Sequence, residues 1–288
     1  MDDKEVGRMW DENAEVWTKL SRMGVNIYRD EFNTPAFLSI LPEIKGLAGL
    51  DIGCGEGTDT RLLAKLGAVM TGMDVSRRFI QYAREEEARE PLGIPYEDAS
   101  AWHIPFPEGS FDFVTATMIL MDIPQPERAI KEAYRVLKPG GFLQFSITHP
   151  CFDTPHRKWV DDETGKHIAL EVGDYFKDMD GEIEEWIFEF TPPEFRGKLR
   201  KFRIPRFTRT FSWWLSTLVD AGFVIEHVLE PTATDDAIRR FPHLEDTRII
   251  SHFLIIRSRK PPMAKRLQQP RACSEKVRRR RMKKSKRS

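Results

Sequence analysis

Hydrophobic positions follow two alternating patterns from residue 46 onward. Short continuous apolar runs occupy residues 46–52, 68–73, 94–96, 111–117 and 142–148. Between them, apolar side chains spaced three and four residues apart predict helices over about 58–66, 76–89 and 126–137. Continuous apolar strands that alternate with helices are typical of a parallel sheet covered on both faces. The pattern therefore predicts an α/β fold.

The segments that flank this region have different patterns. Within residues 1–45, the helical spacing of Trp10, Ala14 and Trp17 predicts an amphipathic helix, and Pro35 marks the first turn of a second helix. Residues 149–211 interrupt the alternation, and 11 of the 31 aromatic residues lie between positions 175 and 214. This aromatic insert either covers a substrate with an apolar pocket or packs its rings onto the sheet. The domain of residues 46–260 is completed by a predicted helix over 212–221 and apolar runs at 223–229 and 249–256.

The charge is balanced in total and uneven along the chain. There are 45 basic and 45 acidic residues. Residues 264–288 contain 12 of the basic residues and one acid, so this part carries +11 and residues 1–263 carry −11. We predict an acidic globular body and a basic, disordered tail over residues 261–288. Such a tail is expected to bind polyanions weakly.

Several classes of protein are excluded by composition. No apolar run is long enough to span a membrane. The N-terminus lacks the basic-then-apolar order of a signal peptide. Cys54, Cys151 and Cys273 have no zinc-binding or disulfide spacing. These features predict a cytoplasmic protein without a bound metal.

A glycine-rich loop follows the first predicted strand, in the sequence Leu50-Asp51-Ile52-Gly53-Cys54-Gly55-Glu56-Gly57. Glycine lets the backbone turn sharply and approach a ligand closely. The spacing is GxGxG, which differs from the GxGxxG dinucleotide fingerprint, and no GK[ST] phosphate-binding sequence follows. An acid two residues before the first glycine favours a cationic ligand over a pyrophosphate.

Two further acids lie at the ends of the next strands. Asp74 ends the second strand, where a carboxylate accepts hydrogen bonds from ribose hydroxyls. Asp98 ends the third, where it is suited to the amino group of adenine. Carboxyl ends of parallel strands meet along one edge of the sheet, so these acids and the glycine loop are predicted to line one crevice.

With these motifs the sequence resembles the class I S-adenosylmethionine-dependent methyltransferases. It is closest to the group that includes ubiquinone- and menaquinone-biosynthesis methyltransferases. The resemblance covers residues 47–148, about a third of the chain, and rests on the glycine loop, Gly72–Ser76, Glu97–Ala99, Phe111–Val114 and Arg135–Gly141. It implies S-adenosylmethionine as cofactor and a Rossmann-like, seven-stranded, mostly parallel sheet in the order 3-2-1-4-5-7-6. Residues 1–45 would form a helical lid.

The resemblance also implies a set of cofactor-binding residues. The glycines would approach the methionine part, Asp51 would orient the loop and attract the ammonium group, and Asp74 would bind the ribose. The full set is Asp51, Gly53, Cys54, Gly55, Gly57, Asp74, Val75, Asp98, Ala99, Thr117, Met118, Tyr28 and Asn33. For Cys54 we favour the role of a small loop residue over that of a nucleophile.

Three residues are candidates for proton transfer to or from an acceptor. Asp122 and His149 follow the fourth and fifth strands, and His103 lies in the loop after the third. His149 is alternatively a loop histidine bonded to backbone. Asp122 is alternatively the cap of the following helix.

The sequence therefore predicts methyl transfer to a small, partly apolar molecule. Three alternatives remain: a nucleic-acid or protein methyltransferase directed by the tail, a noncatalytic cofactor-binding protein, and an NAD-dependent oxidoreductase. The absence of an Asn/Asp-Pro-Pro-aromatic motif weakens the nucleic-acid alternative. The sequence leaves open the acceptor, the methylated atom and the oligomeric state.

Overall fold

A computed structural model describes residues 1–262. The strands in chain order are β1 (Ala48–Ile52), β2 (Val69–Asp74), β3 (Tyr96–Asp98), β4 (Phe111–Thr117), β5 (Leu137–Thr148), β6 (His156–Asp161), β7 (His167–Gly173), β8 (Glu182–Trp186), β9 (Phe202–Arg206), β10 (Val224–Leu229) and β11 (Phe253–Arg259). The helices are α1 (Asp3–Arg22), α2 (Thr34–Ser39), α3 (Thr58–Lys65), α4 (Arg77–Arg89), α5 (Pro126–Val136), α6 (Phe211–Asp220) and α7 (Asp235–Arg240). One π-helical turn, Arg29–Asn33, precedes α2, and 3-10 segments occupy Leu120–Asp122 and Pro242–Arg248.

Seven strands form one sheet in the order β10-β11-β5-β4-β1-β2-β3. Strands β1 to β5 are parallel to one another, and β11 is antiparallel to both β5 and β10. The predicted order 3-2-1-4-5-7-6 is confirmed, with β10 as strand 6 and β11 as strand 7. This edge of the sheet is antiparallel because the chain reverses direction between β10 and β11, in the segment that contains α7.

Both faces of the sheet are buried, as the continuous apolar runs predict. On one face, Ile130 and Ala133 of α5 and Trp214 and Leu218 of α6 pack against the strands. On the other face, a second cluster includes Leu63 of α3 and Ile80 and Ala83 of α4. Burial of these side chains supplies the main driving force for the fold.

The aromatic insert contains two β-hairpins, which the sequence analysis did not predict. Strands β6 and β7 pair antiparallel, and β8 and β9 form the second hairpin. Strand β9 alternates the buried Phe202 and Ile204 with the half-buried Arg203, whereas most residues of β6 and β7 are exposed.

Helix α1 packs against the second hairpin. The Asn13 side chain donates to the Arg203 carbonyl (2.9 Å) and accepts from the Arg203 N–H (3.0 Å). Trp17 lies 4.9 Å, ring to ring, from both Phe188 and Phe202. The N-terminal helix and the hairpin thus share one apolar cluster.

The last predicted strand begins later than expected. The apolar run at 249–256 predicted a strand from Ile249, whereas β11 begins at Phe253. The Ile249 N–H donates to the Asp246 carbonyl (2.9 Å), which continues the preceding 3-10 segment. The polar pair Ser251-His252 then separates this segment from the strand. The tail predicted over 261–288 lies almost entirely outside the described residues.

Candidate active site

A cavity of about 660 Å³ lies beyond the carboxyl ends of β1, β2 and β4. Its volume is in the range of small-molecule sites, about 300–1,000 Å³. The sheet side of the wall includes Gly53, Gly55, Asp74 and Met118. The opposite side comes from α1 and the insert, with Trp10, Trp17, Trp159, Trp186 and Phe188 among its residues. The cavity therefore joins the sheet edge to the aromatic insert.

The glycine loop leaves β1 and turns along the cavity. The N–H groups of Gly53 and Cys54 both donate to the Met73 carbonyl, at 2.8 and 3.0 Å, which fixes the loop to β2. Gly53 has a φ of +70°, and a Cβ there would lie 2.6 Å from the Ile119 side chain. Gly55 has a φ of +55°, and a Cβ there would meet no atom within 4 Å. Gly55 consequently forms an open cradle in the cavity wall.

Asp51 lies beneath the glycine loop, outside the cavity. It is buried, and its two carboxylate oxygens accept from the hydroxyls of Thr60 (2.5 Å) and Thr115 (2.8 Å). Burial raises the pKa of Asp51 to about 7. Asp51 does not line the cavity, so the structure gives it the loop-orienting position and no direct approach to a ligand. Gly57, at the N-terminus of α3, also lies outside the lining.

Asp74 lines the cavity at the end of β2. Its carboxylate accepts from the N–H groups of Gly55 (2.9 Å) and Ser76 (2.8 Å). Burial raises its pKa to about 6. A carboxylate has about four lone-pair sites, so two remain for a ligand.

The other predicted adenosine contacts divide into two groups. Val75 and Ala99 line the cavity. Asp98 lies outside the lining and is paired with the exposed Arg77, whose Nε is 2.8 Å from Oδ2. The ion pair explains why its carboxylate is held at the protein surface.

Four further predicted contacts all line the cavity: Tyr28, Asn33, Thr117 and Met118. Asn33 is fully buried and donates to Ser146 Oγ (3.1 Å), while its Oδ1 has no hydrogen-bond partner within residues 1–262. Tyr28 Oη donates to Asp246 Oδ2 (2.8 Å). Met118 has a φ of +57°, unusual for a residue with a side chain, at the turn after β4.

Two acids that the sequence analysis missed extend the negative wall. Glu56 is buried and accepts from the hydroxyls of Ser21 and Thr58, both at 2.8 Å. Asp59 also lines the cavity, and burial raises its pKa to about 6. Arg29 lies 3.6 Å from Glu56 and partly balances this charge. Their loop and helix positions carry no separate motif, so spacing alone did not identify them.

Of the three candidates for proton transfer, only Asp122 lines the cavity. His149 is buried with both ring nitrogens engaged: Nε2 lies 2.7 Å from Glu230 Oε1, and Nδ1 accepts from the Cys151 N–H at 3.2 Å. His103 is exposed and lies near Arg128. The geometry matches the loop-histidine alternative for His149.

Asp122 is a buried carboxyl group without a hydrogen bond to any described residue. Burial raises its pKa to about 8. It does not cap α5, whose N-terminal cap is Gln125. Arg206 and Glu184 of the insert act on it electrostatically. Arg206 is bound to Asp153 (2.7 Å) and to Glu184, and Arg157 is bound to the same two acids. These residues are separated in sequence and were not predicted.

The raised pKa of Asp122 predicts a pH-dependent cost in stability. An unfolded aspartate titrates near 3.9, so between about pH 4 and 8 the unfolded chain loses a proton that folded Asp122 keeps. The free energy of unfolding therefore falls as the pH rises through this range. Asp122→Asn should match the parent's stability at about pH 4 and exceed it by about 1–3 kcal/mol at about pH 8. Denaturant unfolding across this pH range measures the difference, and a difference independent of pH would contradict the assignment.

Within residues 1–262, no helix is long and apolar enough to cross a membrane. That part of the chain also contains no group of three or more His, Cys, Asp or Glu side chains that could hold a metal ion.

The cavity fits the cofactor that the sequence resemblance implies. Gly55 leaves an open cradle, Asn33 presents a buried unpaired oxygen, and Asp74 retains free lone-pair sites. S-adenosylmethionine carries ammonium and sulfonium charges and ribose hydroxyls. An acidic wall of hydrogen-bond acceptors matches these groups.

Comparisons with known proteins agree with this site. The family model described as "Methyltransferase domain" matches residues 50–145. A ubiquinone biosynthesis O-methyltransferase from Coxiella burnetii is 37% identical over 109 residues, which cover 38% of this chain and 47% of that protein. A demethylmenaquinone methyltransferase from Tropheryma whipplei is 31% identical over 147 residues, covering 51% of this chain and 60% of that protein. The chain thus spans about half the length of these curated relatives.

A solved structure extends the similarity over most of the chain. An S-adenosylmethionine-dependent methyltransferase from Mesorhizobium loti is 29% identical, with a TM-score of 0.64, and the match covers 78% of this chain and 96% of that one. The family match over residues 50–145 includes the glycine loop, β2 to β4, and most of β1 and β5. Residues 50–145 therefore form a methyltransferase domain of the class I S-adenosylmethionine-dependent type, related to those of ubiquinone and menaquinone biosynthesis methyltransferases.

Proposed function

We propose that this protein transfers a methyl group from S-adenosylmethionine to a small, partly apolar acceptor. The observation that carries the proposal is the single cavity that joins the glycine loop and Asp74 to an aromatic wall. One part of this cavity has the acceptors that a cationic nucleoside requires. The other part has the apolar lining that a small acceptor requires.

The residues on the sheet edge would hold the cofactor. Gly53 and Gly55 would lie beside its methionine part. Asp74 would accept hydrogen bonds from the ribose hydroxyls, and Val75 and Ala99 would contact the adenine. S-adenosylmethionine supplies a methyl group already activated on a sulfonium sulfur. The protein's task is then to align the acceptor with this methyl group and exclude water. Such alignment is worth about 7–11 kcal/mol in favourable intramolecular reactions.

The insert would hold the acceptor. Its Trp159, Trp186 and Phe188 line the cavity, and α1 adds Trp10 and Trp17. The names of the two relatives place them in ubiquinone and menaquinone synthesis, which favours a ring-containing, quinone-like acceptor. Asp122, protonated near neutral pH because of its raised pKa, would donate a hydrogen bond to an oxygen or nitrogen of that acceptor.

A methyl-transfer assay tests the proposal. The full chain is incubated with S-adenosylmethionine and a panel of small quinols, phenols and amines, and formation of S-adenosylhomocysteine is measured. We expect acceptor-dependent turnover with a ring-containing acceptor. Cofactor binding without turnover on any acceptor would favour the noncatalytic alternative.

The basic tail is the basis of the second candidate function, a tail-directed nucleic-acid or protein methyltransferase. The tail carries +11 and the body −11, so we propose that the tail binds polyanions independently of the small-molecule site. Deleting residues 264–288 should abolish binding to heparin and leave small-molecule turnover within about twofold of the full chain, because the described lining of the cavity lies within residues 3–253 and salt screens the tail's charges. Loss of turnover in the shortened chain would support the tail-directed function instead.

A further inference from the structure

Three polar residues from distant segments meet on one wall of the cavity. Tyr28 immediately precedes the π-helical turn, Asp246 lies in the 3-10 segment Pro242–Arg248, and His252 immediately precedes β11. All three line the cavity. His252 is beside the carboxyl end of β5, since the His149 N–H donates to the His252 carbonyl (2.8 Å) and Phe253 pairs with Thr148. This is the sheet edge at which the cofactor would bind.

Asp246 joins the other two side chains. Its Oδ2 accepts from Tyr28 Oη at 2.8 Å and lies 3.1 Å from His252 Nε2. Asp246 is 8% exposed, and both its Oδ1 and His252 Nε2 are buried without a well-aligned hydrogen bond within residues 1–262. The histidine and carboxylate are thus at ion-pair distance without an aligned hydrogen bond. Catalytic hydrogen bonds are often poorly aligned in unliganded sites and tighten in the substrate complex.

The carboxylate sets which nitrogen of His252 carries the proton. A buried carboxylate beside Nε2 favours the Nε2–H tautomer, as in other aspartate–histidine pairs. The lone pair then resides on Nδ1, the ring nitrogen opposite the one that contacts Asp246, on a side chain that lines the cavity. The imidazole plane is held by Tyr28 (5.3 Å between ring centroids) and by Trp159 (6.2 Å).

Two other polar groups of the cavity, Tyr28 and Asp122, and the neighbouring His149 are poorly suited to accept a proton. The pKa of Tyr28 is raised above its usual range by burial and by Asp246, so its phenol remains a donor. Asp122 already holds a proton near neutral pH. His149 lies outside the cavity with both nitrogens engaged.

We propose that His252, oriented by Asp246, is the general base of this site and that the acceptor is a hydroxyl group, so that the reaction is O-methylation. This rests on the proposed methyl-transfer function. The acceptor oxygen forms its bond to the methyl carbon, the carbon–sulfur electron pair leaves with the sulfur, and the hydroxyl proton passes to His252 Nδ1. The adjacent Asp246 carboxylate compensates the resulting imidazolium. An already nucleophilic carbon would require little help from such a base, whereas a weakly acidic hydroxyl requires it.

The tautomer of His252 tests the proposal without any acceptor. Nitrogen-15 NMR of histidine-labelled full chain, with S-adenosylhomocysteine added, should show neutral His252 with the proton on Nε2. Asp246→Asn should shift this preference toward Nδ1. A wild-type His252 protonated on Nδ1 would overturn the proposal. Failure of the chain to bind S-adenosylhomocysteine would instead overturn the methyl-transfer function, which keeps the two failures distinct.

A pair of phenols tests the chemical step. 4-Nitrophenol is largely ionised at mildly alkaline pH, whereas 4-methylphenol retains its proton and requires a base. His252→Asn should lower turnover of 4-methylphenol by about 100-fold or more and that of 4-nitrophenol by only about threefold. His156→Asn is the matched control, because His156 also pairs with a carboxylate, Glu171 at 2.8 Å, and lies outside the cavity lining. Equal losses on the two phenols, or wild-type turnover only with amines, would overturn the proposal.

Discussion

Replacing Asp74 with alanine is expected to lower the affinity for S-adenosylmethionine by about 100-fold or more. The carboxylate would lose its bonds to the ribose hydroxyls, and hydrogen bonds to a charged group contribute about 1.5–3 kcal/mol each. The substitution also removes the hydrogen bonds that the N–H groups of Gly55 (2.9 Å) and Ser76 (2.8 Å) donate to the carboxylate. Because the glycine loop loses its support and the ribose loses its contact, this is the largest loss of cofactor affinity that we expect from a single substitution.

Asp112→Ala is the matched control for this experiment. Asp112 likewise accepts from a backbone N–H of a neighbouring strand, that of Ala48 at 2.9 Å, and from Lys138 Nζ at 2.9 Å. It lies near the amino end of β4, away from the cavity lining. Calorimetric titration should show unchanged cofactor affinity in this variant, with some loss of stability. Unchanged affinity in Asp74→Ala would show that the ribose binds elsewhere.

Replacing Gly55 with alanine is expected to reduce cofactor affinity by about 10- to 100-fold. The backbone at Gly55 has a φ of +55°, and the added Cβ would point into the open cradle, where no protein atom lies within 4 Å. A ligand that passes along the loop would collide with this methyl group. The left-handed backbone conformation adds a strain of about 1–2 kcal/mol in the folded state.

Gly109→Ala is the control that separates the backbone strain from the clash of the added methyl group with the ligand. Gly109 has a φ of +69° and also has no atom within 4 Å of an added Cβ, yet it does not line the cavity. Both variants should lose similar stability in thermal unfolding, and only Gly55→Ala should lose cofactor affinity. Equal affinities in the two variants would mean that the cofactor does not approach the loop.

The sheet and the cavity wall along its carboxyl edge could be predicted from the sequence because their signals are local. The glycine loop and Ala99 directly follow strands, Asp74 ends one, and parallel strands bring such positions to one edge. Most of the predicted cofactor residues do line the cavity. Asp51 and Asp98 show the limit of this reasoning, because adjacency in sequence does not determine whether a carboxylate faces the ligand, a threonine pair or a surface arginine.

The part of the cavity proposed to hold the acceptor could not be predicted from the sequence, because long-range packing creates it. Asp246 and His252 lie more than 200 residues after Tyr28 in the chain and share no motif with it. His149 was the more prominent candidate, since it directly follows β5, but the Glu230 carboxylate and the Cys151 N–H engage its nitrogens. The hairpins of the insert were also missed, because their charged and aromatic residues alternate without a continuous apolar run.

The central claim is that the cavity at the sheet edge binds S-adenosylmethionine, and titration of the full chain with S-adenosylhomocysteine tests it most directly. We expect one equivalent to bind per chain, with no detectable binding of NAD at the same concentrations. Binding of NAD in the absence of any binding of S-adenosylhomocysteine would contradict the account.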